Sequence, residues 1–447
     1  MESKAPAYQS DERLATSHPV SYDDVDVFGD EGNHQIVYKT LSWRMVAVLM
    51  ICEIVSNGML SLPSSLAVVG IVPGLILIIF LGVFATYTAW VLVQFKLRHP
   101  DVHNMGDAGY ILFGPIGREV LAFGTVLFAI FATGSQLLAG EIALATLSDN
   151  KLCAMLYSGI FAMAILVFSF PRTFSNLSHL SIAACLSILI AGLVGMIGAG
   201  AHPTPNRGVD AAKSSNFYAA FVSITNPVFA YAGHFMFFTL ISEMRRPQDA
   251  MKAAYCLQGF ATTFYVIFAA VVYAYAGNDV ASPSFSSLEI KWQKAAYGIA
   301  LPNFLIAGAL YSHTASKLFF VRLFRRSEHL HSHTVVGWTV WTGLIVVSNG
   351  LAFVLAVGVP IFNYLLGLVA SLFAAWYTYG VAGFFWLHDA FHDFDGFRTW
   401  RKRWPETTLA VLTIAAGAFI CIAGTYVNIR GIIEAYNDGT VSGAFSC

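Results

Sequence analysis

The chain has 447 residues, 57% of them hydrophobic and 11% charged. A soluble domain carries about 25% charged residues, so composition excludes an ordinary globular protein and predicts a polytopic membrane protein. The formal net charge of −1 argues against a nucleic-acid partner, and the six scattered cysteines show no CxxC spacing and no disulfide framework.

In chain order, residues 1–40 are polar and acidic and lack the apolar stretch of a secretory signal. They are expected to form a cytoplasmic disordered tail. Eleven apolar segments of spanning length follow, at about 43–70, 73–96, 119–146, 152–170, 178–200, 217–242, 253–277, 295–321, 335–358, 361–386 and 407–429. Lys and Arg concentrate in the loops on the side of the N-terminus, which is therefore expected in the cytoplasm. The predicted organisation is a first repeat over 41–200, a second over 217–386, a basic cytoplasmic loop over 387–406, and an eleventh helix with a short extracellular tail over 407–447. The connection Leu97 to Arg118 is longer than a turn and suits an interfacial helix around Tyr110 to Phe113.

The first apolar segment, WRMVAVLMICEIVSNGMLSLPSSLAVVG from Trp43 to Gly70, holds Glu53, Ser56-Asn57-Gly58 and Pro63 within eleven residues. Irregular backbone at membrane depth survives only where it lines a cavity or is buried in protein. The sixth segment, FYAAFVSITNPVFAYAGHFMFFTLIS from Phe217 to Ser242, is expected to break at Asn226-Pro227 and again at Gly233-His234. Two broken helices leading two five-segment halves predict an inverted-repeat transporter with its site between them near the midplane. Half-helix N-termini suit a carboxylate and freed carbonyls suit an ammonium group. Small residues at Ser56, Gly58, Ala230, Ala232 and Gly233 let a ligand approach the backbone, and Phe229 and Tyr231 are expected to wall an apolar side-chain pocket. The breaks carry no ionisable group except His234, which favours a net-neutral ligand.

The stretch NPVFAYAGHFMFFTLISEMRRPQDAMKAA, Asn226 to Ala254, resembles the amino acid/auxin permease family of the amino acid–polyamine–cation superfamily. Asn57-Gly58 with Leu62-Pro63, and Gly109-Tyr110 with Phe113-Gly114 and Gly117-Arg118, are similar to the same family. The similarity spans roughly residues 40 to 430, and the nearest subgroup is the fungal neutral amino acid permeases. The resemblance implies an all-α polytopic fold: a 5+5 inverted-repeat, LeuT-like core with broken helices one and six, plus an eleventh helix. It implies import of neutral, aliphatic or aromatic amino acids by proton symport, in the plasma membrane or, alternatively, the vacuolar membrane. Carried over onto this chain, Ser56, Asn57, Gly58 and Met59 would contact the ligand together with Asn226, Phe229, Ala230, Tyr231 and Gly233, while Glu243, Met244 and Pro247 would serve the gate. Lipid is the other expected partner. No catalytic residue, cofactor or metal is expected, and the coupling ion is a proton.

Charged groups inside spans are functional candidates by default. Glu53, His234 and Lys317 are the proton-coupling candidates, with Lys317 and Glu53 expected to pair between the first and eighth segments. Glu141, Ser312 and His313 are lesser candidates. Two rival readings follow from other features. One is an amino acid sensor of the same fold with little flux. The other is a membrane enzyme, since His388 and His392 with Asp389 and Asp393, plus His329, His331 and His333, resemble histidine boxes. The second cluster lacks the HxxHH form, and eleven spans exceed what such enzymes need.

Overall fold

The computed structural model describes residues 28, 35–205, 207–325, 327–392 and 397–438. Among them the architecture is helical, with one isolated parallel bridge between Leu41 and Met244. Among the described residues, ten helices are long and apolar enough to cross a membrane.

The first span, Trp43–Val69, is two helices, α1 (Trp43–Ile54) and α2 (Leu62–Val69), joined by a 3-10 turn at Asn57–Ser61. Then come α3 (Ile71–Arg98) and α4 (Met105–Leu147). Helix α5 (Ala154–Ser169) occupies the fourth expected segment, but its 16 residues fall short of the other spans. Next are α6 (Phe174–Ala201) and a second broken span, α7 (Phe217–Ala230) with α8 (Phe237–Ser242). Helices α9 (Ala250–Ala276), α10 (Ile290–Phe324) and α11 (Val335–Gly358) are continuous. The span Phe362–His392 contains α12 (Phe362–Val369), a π-helical stretch at Ala370–Gly380 and α13 (Val381–His392). A short α14 (Phe397–Lys402) leads into α15 (Trp404–Asn437).

Side-chain caps start several of these helices. Asn104 Oδ1 accepts from the Gly106 and Asp107 N–H groups, Asn216 Oδ1 from Ala219, and Thr334 Oγ1 from Gly337. Helix α4 is broken near its start by Gly114, whose φ of 69° lies in the left-handed region, followed by Pro115. Met105 to Phe113 therefore forms a separate helical piece, as the long connection suggests.

The two broken spans lie innermost: 89% and 94% of their spanning windows are buried, against 22% for α15. Around them, α10 packs on α4 and α6, while α9 packs on α1, α2 and α3. Irregular backbone thus sits inside protein, where other side chains can satisfy it.

Two expectations change here. Asn226-Pro227 does not interrupt α7, which runs on to Ala230. A proline removes a single intrahelical hydrogen bond, and this helix ends within a turn of it. The tail 1–40 mostly lies outside the described residues, as do 439–447. Its described part is packed, with Phe28, Ile36 and Tyr38 buried. Ile36 N–H donates to the His331 carbonyl and the Tyr38 hydroxyl to the Leu330 carbonyl, which fixes the segment.

Candidate functional site

Helix α1 ends at Ile54 because Val55 and Ser56 leave helical geometry, Ser56 with φ −144° and ψ −139°. Helix α7 ends at Ala230, and Tyr231 to Gly233 are non-helical before the turn at His234–Met236. The two ends meet. A Cβ on Gly58 would lie 3.1 Å from both Ala230 Cα and Phe229 Cδ1, and one on Gly233 would strike the Ile54 side chain. Glycine at both positions lets the two ends approach without displacing a neighbour.

The ends are joined by side chains that the sequence did not single out. The Tyr265 hydroxyl on α9 lies 2.8 Å from the Ile54 carbonyl and 2.7 Å from the Ala230 carbonyl. Asn303 on α10 donates to the Cys52 carbonyl at 3.1 Å, and Tyr311 to the Glu53 carbonyl at 3.0 Å. From α4, Gln136 donates to Asn57 Oδ1 at 3.1 Å, and Asn57 donates to Ser135 Oγ at 3.0 Å. The Ser56 hydroxyl faces Asn303 Oδ1 at 2.5 Å and Gln136 Oε1 at 3.2 Å.

Proton counting shows an imbalance of donors and acceptors here. Tyr265 has one proton for two carbonyls, and Ser56 has one for two amide oxygens. The junction of the broken helices therefore holds more acceptors than donors. Such a surplus suits a ligand that brings N–H donors, an ammonium group above all.

Not every expected residue faces this junction. Ser56, Asn57, Gly58, Phe229, Ala230 and Gly233 are brought together. Asn226 ties α7 to α2, and Met59 reaches toward Gly192 on α6. Tyr231 turns to α3 and α9 instead of walling a pocket, its hydroxyl 3.1 Å from both the Ile78 carbonyl and Thr262 Oγ1. His234 Nε2 donates to the Ala85 carbonyl at 2.9 Å, beside Thr88 Oγ1 at 3.3 Å. Both residues lock the second broken span to its neighbours.

The expected Lys317–Glu53 pair does not form. Lys317, buried on α10, bonds to Glu243 at the end of α8. Its ammonium group also lies 4.6 Å from the Tyr38 ring centre, 4.8 Å from Phe174 and 5.9 Å from Phe28. Glu243 further accepts from the Phe174 N–H at 3.3 Å, and its own carbonyl accepts from Leu41 N–H at 3.0 Å. Glu243 outcompetes Glu53 because it sits at a helix end that the preceding tail segment holds against α10. His103 lies beneath Phe28, its ring 5.4 Å away and edge-on. Burial, then Lys317, Lys96 and Arg325, hold its imidazole well below the ordinary range. This end of the bundle is thus closed by a salt bridge capped with aromatic rings.

Glu53 is left inside. It is buried, and neither carboxylate oxygen has a hydrogen-bond partner among the described residues. Its Oε1 lies 3.5 Å from where a Cβ on Gly233 would be, so the carboxyl group touches the second break. Glu141 accepts from Ser158, and His313 is buried between the Phe174 and Trp341 rings. The histidine clusters have local roles. Asp389 accepts from Arg98 at 2.7 Å and faces His99 and His388 at 3.2 Å each, while His329 faces Thr334 and His331 the Ile36 carbonyl.

Removing the Tyr265 hydroxyl tests the junction. Tyr265→Phe removes the hydroxyl donor from the Ala230 carbonyl, a cost of about 1–3 kcal/mol, while the Ile54 carbonyl keeps the Ser56 N–H at 2.9 Å. Substrate affinity in a binding assay is expected to change at least tenfold, with the protein still folded. Unchanged affinity would place the ligand elsewhere.

Broken helices packed at the centre of an apolar bundle, with a polar junction between them, define a membrane transporter. The chain matches the family described as transmembrane amino acid transporter protein over residues 39–430, and it belongs to that family. It is 30% identical over 420 residues to the N amino acid transport system protein of Neurospora crassa, covering 92% of this chain and 89% of that one. It is also 25% identical to Vacuolar amino acid transporter 4 of Saccharomyces cerevisiae, over 54% of this chain and 35% of the relative. A similar solved structure is Mhp1, a nucleobase-cation-symport-1 family transporter in a closed conformation with bromovinylhydantoin bound. It gives a TM-score of 0.55 at 15% identity, covering 93% of this chain and 97% of that one. That likeness concerns the fold.

Proposed function

We propose that the protein imports neutral amino acids by proton symport, through alternating access about the junction of α1–α2 with α7–α8. The surplus of acceptors around Ile54, Ala230, Ser56 and Asn303 carries this reading. It matches an ammonium group, while N–H groups of the turn at Asn57–Ser61 suit the carboxylate. Phe229, beside Gly58, supplies an apolar contact for the side chain. No fixed charge lines the junction apart from Glu53, so a ligand of zero net charge fits best.

In this scheme eleven crossings form two inverted five-helix repeats and a last helix, with α5 as the fourth crossing. The N-terminus is cytoplasmic and the membrane is the plasma membrane. Lys317–Glu243 holds the inner face shut, and Glu53 takes up the coupling proton.

Competition binding with a matched set tests the ligand assignment. A neutral amino acid is expected to displace a labelled one, its decarboxylated amine more weakly, and its deaminated acid hardly at all. Displacement by the acid as strong as by the amino acid would contradict an ammonium-centred site. Binding without any flux in vesicles would favour the sensor.

A further inference from the structure

Helix α3 ends at Arg98, and His99 caps it. This helix packs against α13, which carries His388 and Asp389 close to its own end. His99 Nε2 and His388 Nδ1 each lie 3.2 Å from the same atom, Asp389 Oδ1, and the three atoms are all within 4.8 Å of one another. Among the described residues this is the one group of three histidine, cysteine or carboxylate side chains brought so close.

The spacing is that of a metal's ligands. Atoms bonded tetrahedrally to zinc at about 2.0–2.1 Å are about 3.3 Å from one another. Hydrogen bonding alone asks Oδ1 to accept from both rings at the long end of the normal range. The surroundings supply the support a metal site needs. Arg98 donates to the other oxygen, Asp389 Oδ2, at 2.7 Å, which orients the carboxylate and leaves Oδ1 toward the imidazoles. The buried Phe95 ring lies 4.4 Å from the His99 ring and 6.2 Å from His388, so apolar surface backs both imidazoles. The side chains of His99 and His388 are 24% and 17% exposed, against 6% for Asp389. The group is therefore open to solvent on one side, which gives an ion a way in and leaves room for water as a further ligand.

We propose that His99 Nε2, His388 Nδ1 and Asp389 Oδ1 bind a divalent transition metal, zinc by their donor set, and that the ion staples the end of α3 to the end of α13. Two imidazoles and one carboxylate suit a borderline cation, whereas magnesium and calcium favour sites built from oxygen. The site is separate from the helix junction, and the ion's part in it is to hold the two helix ends together.

The test uses the full chain purified without a polyhistidine tag, stripped with EDTA and then dialysed against zinc. Elemental analysis is expected to find a tightly held zinc, and zinc but not magnesium is expected to raise the melting temperature. Cobalt in place of zinc is expected to give the visible absorption of a four-coordinate site, lost when zinc is added. Removing an outer-shell partner of a metal ligand weakens binding about 10- to 100-fold. Loss of a ligand itself, in His99→Gln or His388→Gln, is therefore expected to weaken zinc binding at least about tenfold and to abolish the thermal shift. No zinc retained by the wild type would overturn the proposal, as would a magnesium shift equal to that of zinc. Zinc retention unchanged in both folded variants would also overturn it, and would place the ion among His329, His331 and His333 instead.

Discussion

Lys317→Ala is expected to abolish uptake and to destabilise the protein by about 3–5 kcal/mol, the cost of leaving one member of a buried ion pair uncompensated. Glu243 would lose its cationic partner while remaining buried, and the rings of Tyr38 and Phe174 would lose the ammonium group between them. Glu243→Gln should destabilise in the same range for the converse reason. The double replacement Lys317→Met with Glu243→Leu separates stability from gating. Removing both charges restores folding, because an apolar pair of similar volume costs little. It should not restore normal uptake if release of the charge pair is what opens the inner face. Melting curves and uptake on the same preparations check this, and a double variant as active as the wild type would show that the pair is only structural.

Glu53→Gln is expected to uncouple transport. The side chain keeps its size and its position against Gly233 but can no longer carry a proton. When one proton moves with each substrate, a gradient of one pH unit sustains about tenfold accumulation. The variant should lose that accumulation while still exchanging internal for external substrate. The reason is local: the carboxyl group is buried, has no partner among the described residues, and touches the second break. An ionised carboxylate finds no compensation there, which is why the proposed scheme gives Glu53 the coupling proton. Accumulation that stays pH-driven in Glu53→Gln would move the coupling elsewhere, with His313 the next buried group to replace.

Much of this was legible in the sequence because membrane segments announce themselves by length and composition. The two breaks were legible too, since Ser56-Asn57-Gly58 and Gly233 have no place in a lipid-facing helix. The partners of the breaks were harder to find. Gln136 and Asn303 carry a usable signal, an uncharged amide inside an apolar span, whereas Tyr265 and Tyr311 look like ordinary aromatic residues until their hydroxyls are seen on freed carbonyls. Tyr231 and His234 lie in the break and yet point outward from it, because residues next to one another in an irregular stretch can face opposite sides. The Lys317 partner was misjudged for a similar reason. Sequence gives depth along a helix but not rotation about it, so Glu53 and Glu243 could not be told apart as neighbours of α10. The packed end of the tail was hidden by its acidic, polar composition, which says little about three buried aromatic and aliphatic side chains.

In the proposed function the junction moves a neutral amino acid together with a proton. Radiolabelled uptake into proteoliposomes tests it most directly, using a neutral amino acid with an imposed pH gradient and, separately, a sodium gradient. Transient accumulation above the external concentration is expected when the outside is acid, and none with sodium alone. Accumulation driven by sodium, or none under either gradient despite binding, would contradict it.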